Sequence, residues 1–378
     1  MKRLDRVIRL TLLAVALASL LLALAEAIAR RTLEAPVAPY EIHSLYRATR
    51  TPGYKQTKIS IEPPHEPFLY EIDALGFRGK AMQTVKKPAG TYRIFFLGAS
   101  TTENQHLPEE KTFPGLVEAT LGARFQGNPR VEVANCGIAG YGVARSLSLL
   151  AHRVLALEPD LVVVLEGEND LMVSLDDRWD PTNGTPDADH LRFKDWLVGQ
   201  SRLLSVLSAR TGNREADTRP FLATRRQDAH ETPYFVPEGL ALDRGLATYK
   251  AYLGWIALLC EDAQVPLVLM TQPTLWKENQ PKDEEAALWM SCFPNGKTHL
   301  DPATCARLMA KYNDATRDVA TSRGAILVDL AAIVPKDLEH LYDDAHMTAR
   351  GNDAVAAAIV AAIAKDGTLP GKNAWPKR

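Results

Sequence analysis

The chain has 378 residues, 46% of them hydrophobic and 24% charged, with a net charge of −2. That balance is globular, and the near-neutral charge offers no basic face for nucleic acid. The length suits about two domains, and the four cysteines (Cys136, Cys260, Cys292, Cys305) lack the CxxC spacing of a zinc ribbon or thioredoxin-type motif.

Lys2, Arg3, Arg6 and Arg9 precede an uncharged run from Leu10 to Ala25. As a helix those residues span ~24 Å, and extension to Ala29 gives ~30 Å, the thickness of a bilayer core. The extension places Glu26 near the far interface. Basic residues ahead of the run predict a cytoplasmic N-terminus and an exported remainder. Ala23-Leu24-Ala25 also reads as a signal-peptidase site. The apolar pattern resumes at Ala27 to Ala29, which favours an uncleaved anchor over a secreted product.

Residues 31–90 are polar, proline-bearing and weakly periodic. They read as a tether and a small β extension, with short strands over Ile59–Ile61 and Phe68–Ile72. The main domain, 91–367, opens with an apolar strand from Ile94 to Leu97 that runs into Gly98, and Ser100 follows. Glycine permits a sharp turn there at no steric cost. A helix is predicted from Thr112 to Leu121, so Ser100 falls where a strand hands over to a helix. Val131–Ala134 reads as a strand ending in Asn135-Cys-Gly-Ile-Ala-Gly140. Val143–Leu157 carries helical spacing. Leu161–Leu165 is a continuous apolar strand ending in Glu166-Gly-Glu-Asn-Asp170.

An insertion over about 171–245 interrupts the rhythm. It holds an amphipathic helix through Phe193, Trp196, Leu197, Leu203, Leu204 and Leu207, and a long loop from Thr211 to Gly239. Helix Leu246–Ala263 and strand Pro266–Met270 follow, then a second insertion over about 271–301. Helix Thr304–Arg323, strand Ala325–Val328 and helix Gly351–Ala364 complete the domain, leaving a tail over 368–378. Strands separated by helices imply an α/β fold with a doubly wound, mostly parallel sheet. Ligands bind such sheets at the carboxyl edge.

Four blocks fall at turns, and three directly follow a strand: Gly98-Ala-Ser100, Asn135 to Gly140, Gly167-Glu-Asn-Asp170 and Asp343-Asp-Ala-His346. In this order they resemble the SGNH, or GDSL-type, hydrolases. The resemblance runs from about Thr91 to Ala364 and implies a flavodoxin-like three-layer α/β/α fold, with insertions between the third and last blocks. It makes Ser100 the nucleophile, His346 the general base and Asp343 the orienting carboxylate. Ser100 N–H, Gly140 N–H and the Asn169 side chain would form the oxyanion hole, and no metal or cofactor is implied. The chemistry is self-consistent: a hydroxyl attacks only when a base takes its proton, and a carboxylate fixes the base's tautomer. Ala99 stands where the family usually has Asp, at a position with none of these roles. Position 102 is Thr, which argues against a G-x-S-x-G elbow.

Each residue also has a structural reading. Ser100 would cap a helix, Asn169 stabilise its own turn, Gly140 serve a left-handed turn, and His346 begin a helix. Asp344 competes with Asp343 as the acid, and the spacing favours Asp343. The remaining histidines, His106 among them, default to surface or structural roles. An exported location makes Cys292–Cys305 a candidate disulfide, with two free thiols the alternative. Trp179, Trp196, Trp276 and Trp289 lie in the insertions, to stack on sugars or to form the insertions' own core.

The expectation is an esterase acting on an acylated small molecule or carbohydrate, O-acetyl esters above all. It would be a single-pass inner-membrane protein with its catalytic domain in the periplasm or cell exterior. An O-acyltransferase using the same triad is the alternative, and a non-catalytic binding scaffold the third reading.

Overall fold

The computed structural model describes residues 2–34, 40–43, 45, 47–80, 82–176, 179–181, 201–211, 217–292 and 298–370. The chain divides into two compact units, 1–38 with 187–215, and 39–186 with 216–378.

In the first unit, Lys2–Thr32 is one helix. Its segment Arg9–Thr32, 24 residues, is long and apolar enough to cross a membrane. A second helix spans Arg202–Thr211. Its first turn is met by Glu26, whose carboxylate accepts from Ser201 Oγ (2.7 Å), Arg202 N (2.7 Å) and Leu203 N (3.1 Å). Of the amphipathic helix expected from the sequence, Phe193, Trp196 and Leu197 lie outside the described residues.

The second unit opens with two antiparallel hairpins. β1 (Tyr40–His43) pairs with β2 (Arg47–Arg50), and β3 (Lys55–Ile59) with β4 (Pro67–Glu71). The first hairpin is not expected from the sequence; its strands are only four residues each, within a polar, proline-bearing stretch. The central sheet follows: β5 (Thr91–Gly98), β6 (Arg130–Asn135), β7 (Leu161–Leu165), β8 (Leu267–Met270) and β9 (Ile326–Val328). Its order is β6-β5-β7-β8-β9, with every pair parallel. All residues of β5, β7 and β8 are buried, as a sheet covered on both faces requires. Phe113–Phe125 packs with Ala349–Asp366 on one face. Leu246–Asp262 packs with Val143–Leu149 and Pro302–Arg323 on the other. β6 and β7 flank β5 on opposite sides, so the chain reverses direction at the carboxyl end of β5. That crevice is where open α/β sheets bind ligands.

Two elements differ from expectation. The helix predicted over Val143–Leu157 is α-helical only to Leu149, then π-helical over Leu150–Val154 and 3₁₀ over Leu155–Leu157. The loop expected over Thr211–Gly239 contains a helix, Arg219–Glu231. Only Leu222 and Ala229 of that helix are buried, so it has no apolar stripe to read. Its arginines hold it instead: Arg225 donates to Cys292 O (3.0 Å), and Arg226 to Ala287 O (3.2 Å) and Tyr342 O (2.7 Å). All four cysteines are buried free thiols, Cys292 and Cys305 included.

Arg93 fixes β5 to its surroundings. Fully buried, it pairs through Nε with Glu132 of β6 at 2.8 Å and donates to Thr84 O, Val85 O and Leu157 O. Arg93→Ala leaves the buried Glu132 carboxylate without its main partner, and the expected loss is about 3–5 kcal/mol of stability. Urea unfolding in detergent measures it. A loss below about 1 kcal/mol, the value of an exposed pair, would show that the pair is not holding the strand.

Candidate active site

β5 delivers Ser100 to the sheet edge. A short helix, Ser100–Glu103, begins at once after Ala99. The turn is tight: a Cβ on Gly98 would lie 2.1 Å from Thr102 Oγ1 and 2.6 Å from Leu165 O. Only glycine fits between the returning helix and β7. Ser100 opens the helix, where a backbone N–H has no intrahelical acceptor. The next helix starts at Phe113, close to its predicted start, but the four-residue helix before it left no sequence signal.

The loop from Asp343 to His346 reaches the same point. His346 Nε2 lies 2.8 Å from Ser100 Oγ, and its Nδ1 lies 2.9 Å from both Asp343 oxygens. Asp343 Oδ1 also accepts from Ala345 N (3.1 Å) and His346 N (2.9 Å), which closes the loop on itself. Tyr342 stacks on the imidazole, centroids 5.6 Å apart and planes 10° from parallel. Burial opposes a charge on Asp343, but the adjacent imidazolium and these donors bring its pKa down to about 2. Burial also opposes charge on His346, and there the Asp343 carboxylate, helped by Glu168 and Asp344, prevails and raises the pKa. An ionised carboxylate beside an imidazole makes the ring more basic.

The second and third blocks lie together. Ile138 N donates to Gly98 O at 3.2 Å, which ties the Asn135–Gly140 turn to the end of β5. Gly140 has φ +79° with nothing within 4 Å of a built Cβ, so backbone conformation, not crowding, calls for glycine. Asn169 Nδ2 donates to Tyr141 O at 2.9 Å, and Asp170 accepts from Val143 N at 3.0 Å. Among the described residues, neither Gly140 nor Asn169 is hydrogen-bonded to Ser100. Burial pushes Glu168, inside the third block, up to about 7.

Glu103 and Trp289 touch this site without a motif to announce them. Glu103, fully buried, accepts from Ala139 N at 2.9 Å and so holds the turn that carries Gly140. Its other oxygen takes Tyr70 OH of β4 at 2.5 Å and pairs with Arg50 of β2. Trp289 Nε1 donates to Asp343 Oδ2 at 3.1 Å. Asp344 faces elsewhere, bonded to Trp276 Nε1 (2.9 Å), Trp289 N (2.8 Å) and Met290 N (3.1 Å). Burial and the charge of Asp343 push Asp344 up to about 6. His106 stands edge-on to Tyr342 at 6.5 Å, nearer the site than its sequence context suggested.

A profile of the GDSL-like lipase/acylhydrolase family matches residues 96–289, half of the chain. The chain belongs to that family. It is an SGNH hydrolase acting on ester bonds, on the predicted parallel α/β sheet. The family match includes Ser100, Gly140 and Asn169 and ends before Asp343 and His346. Among solved structures, LAE5, an alpha/beta hydrolase enzyme from the metagenome of Lake Arreo, Spain, is 18% identical. The likeness covers 74% of this chain and 97% of that one, with a TM-score of 0.43. Axe2, an acetylxylan esterase from Geobacillus stearothermophilus, is 17% identical over 73% of this chain and 94% of its own, with a TM-score of 0.42. No curated protein matches the chain.

The raised His346 pKa has two consequences of opposite sense. The stabilisation from its pairing is complete below the ordinary 6.5 and is lost as pH rises through the raised value, whereas the neutral ring appears only above it. NMR titration of the ring should give a midpoint above 6.5 in the intact protein and a lower one in Asp343→Asn. A midpoint below 6.5 in the unaltered chain would contradict the pairing.

Proposed function

We propose that Ser100 is the nucleophile of this SGNH hydrolase, with His346 as general base and Asp343 as its orienting acid. The observation that carries this is the unbroken line of hydrogen bonds from Ser100 Oγ through both His346 nitrogens to Asp343. Ser100 Oγ attacks the ester carbonyl as its proton passes to His346 Nε2. The imidazolium returns that proton to the departing alcohol oxygen, leaving an acyl-enzyme. Water, deprotonated by His346, then attacks the acyl carbon and frees Ser100. The carbonyl oxygen, negative in both tetrahedral intermediates, is received by Ser100 N–H, Gly140 N–H and Asn169 Nδ2. A primary amide has two N–H donors, and the bond to Tyr141 uses one. We assign the hydrolase domain to residues 91–367.

The substrate class we propose is an O-acetyl ester on carbohydrate, met outside the cytoplasm. Phe221, 54% exposed, stands edge-on to Trp289 at 5.9 Å, and Trp289 in turn touches Asp343. An exposed aromatic ring beside the reacting groups suits a sugar face. The N-terminal helix is, on this reading, a retained anchor. Glu26 directly follows the Ala23–Ala25 cleavage motif, yet it lies within a continuous helix and receives the first turn of Arg202–Thr211. Sequencing the N-terminus of membrane-extracted protein should show a start upstream of the apolar run. A start at Glu26 would mean cleavage and overturn the anchor.

Ser100→Ala should abolish aryl acetate hydrolysis in a folded protein. Asn169→Ala, which removes one oxyanion donor, should cost ~10²–10³ in kcat. His346→Ala should cost more, because the hydroxyl is then not activated. Full activity in Ser100→Ala would end the proposal. With an acetylated polysaccharide and a sugar acceptor supplied together, free acetate should dominate. A dominant acetylated acceptor would replace hydrolysis with acyl transfer.

A further inference from the structure

The second insertion supplies more than a wall. Asp343 Oδ1 is held by two N–H groups of its own loop, whereas Oδ2, beyond the His346 Nδ1 contact it shares with Oδ1, is met by a donor from elsewhere in the chain, the indole of Trp289 at 3.1 Å. That indole is itself fixed. Phe221 meets it edge-on at 81°, and the Arg225 guanidinium lies 5.4 Å from its ring centroid. The backbone beneath it is pinned by Asp344, which is fully buried and accepts from Trp289 N and Met290 N with one oxygen and from Trp276 Nε1 with the other. The two adjacent carboxylates thus face opposite ways, one towards His346 and one towards the backbone that positions its partner's donor.

We infer that Trp289 is a positioning residue for ester cleavage, holding the second oxygen of Asp343, and that Asp344 acts on the reaction through Trp289. This rests on the triad reading above. The indole N–H stabilises charge on Asp343 and competes with His346 for it. Removing that donor leaves a buried carboxylate oxygen with His346 Nδ1 as its remaining partner, loosens the acid, and strengthens its pull on the imidazolium. The groups facing His346 are Asp343 and Asp344 from its own loop, Tyr342 stacked on the ring, Glu168 from the third block, and His106 beyond Tyr342. Only the Asp343 contact changes directly when Trp289 is replaced.

The test is steady-state kinetics on an aryl acetate across pH for Trp289→Phe, Asp344→Asn and the double variant, with thermal melts of each. Trp289→Phe keeps the aromatic bulk and loses the donor. Its kcat should fall roughly 10- to 100-fold, the weight of one hydrogen bond to a buried charge. Its KM should stay within about two-fold, and the acidic limb of the kcat/KM profile should move to higher pH. Asp344→Asn places an amide against N–H donors and should lower kcat less. In the Trp289→Phe background it should lower kcat little further, since its hold on the indole is already void, while the loss of its charge moves the acidic limb to lower pH. Should Asp344→Asn fail to fold, Trp289→Phe alone decides.

Unchanged kcat and an unmoved limb in Trp289→Phe would overturn the inference. So would a raised KM at constant kcat, the mark of a substrate-wall residue. Activity surviving in Ser100→Ala would instead remove the triad itself, and the two failures are separable in one set of assays.

Discussion

Asp343 is wholly shielded from water, and an ionised carboxylate in that position persists only when each oxygen is met by donors or by a positive charge. Four groups meet it: the His346 ring, two backbone N–H groups of its own loop, and the Trp289 indole. The rest of the site is arranged around that requirement. The tight loop exists because Asp343 accepts from the residues that follow it. His346 is basic because that carboxylate stays charged. Ser100 has a proton acceptor at 2.8 Å because the turn after β5 and the Asp343–His346 loop converge on one point of the sheet edge.

The convergence belongs to the sheet order. With β5 interior and the chain leaving it in both directions, the turns after β5, β6 and β7 gather on one side. Each turn is then locked to its neighbours by a polar contact: Ile138 to Gly98, Asn169 to Tyr141, and Asp170 to Val143. The N-terminal hairpins join through Glu103, which takes Tyr70 and Arg50 on one oxygen and Ala139 N–H on the other. Such networks are rigid when fully satisfied, and they suit a site whose donors must be in place before charge develops.

Much of this was legible in the residues. Leu161–Leu165 reads as a strand covered on both faces and is one, residue for residue. Ser100, Asp343 and His346 stand at turns because glycine, asparagine and aspartate mark turns, and the fold brings those turns together. What stayed hidden lacks local signature. Arg219–Glu231 is a helix held by arginines that grip carbonyls far along the chain, so no apolar period betrays it. Glu103 looks like a surface acid in a turn, and only its burial reveals that it ties the hairpins to the Gly140 turn. Trp289 reads equally well as insertion core or sugar platform, since a sequence does not show which way an indole N–H points. Asp344 and Asp343 differ by one position and face opposite directions, a distinction that spacing suggests and geometry decides.

The claim on which the account turns is that an acyl group passes through Ser100. Rapid acid quench of the reaction with an aryl acetate, followed by peptide mapping by mass spectrometry, tests it directly. The account predicts an acetylated peptide containing Ser100 during turnover, absent without substrate and absent in Ser100→Ala. Turnover with no acetyl group on that peptide, or an acetyl group on another residue whose removal stops the reaction, would contradict it.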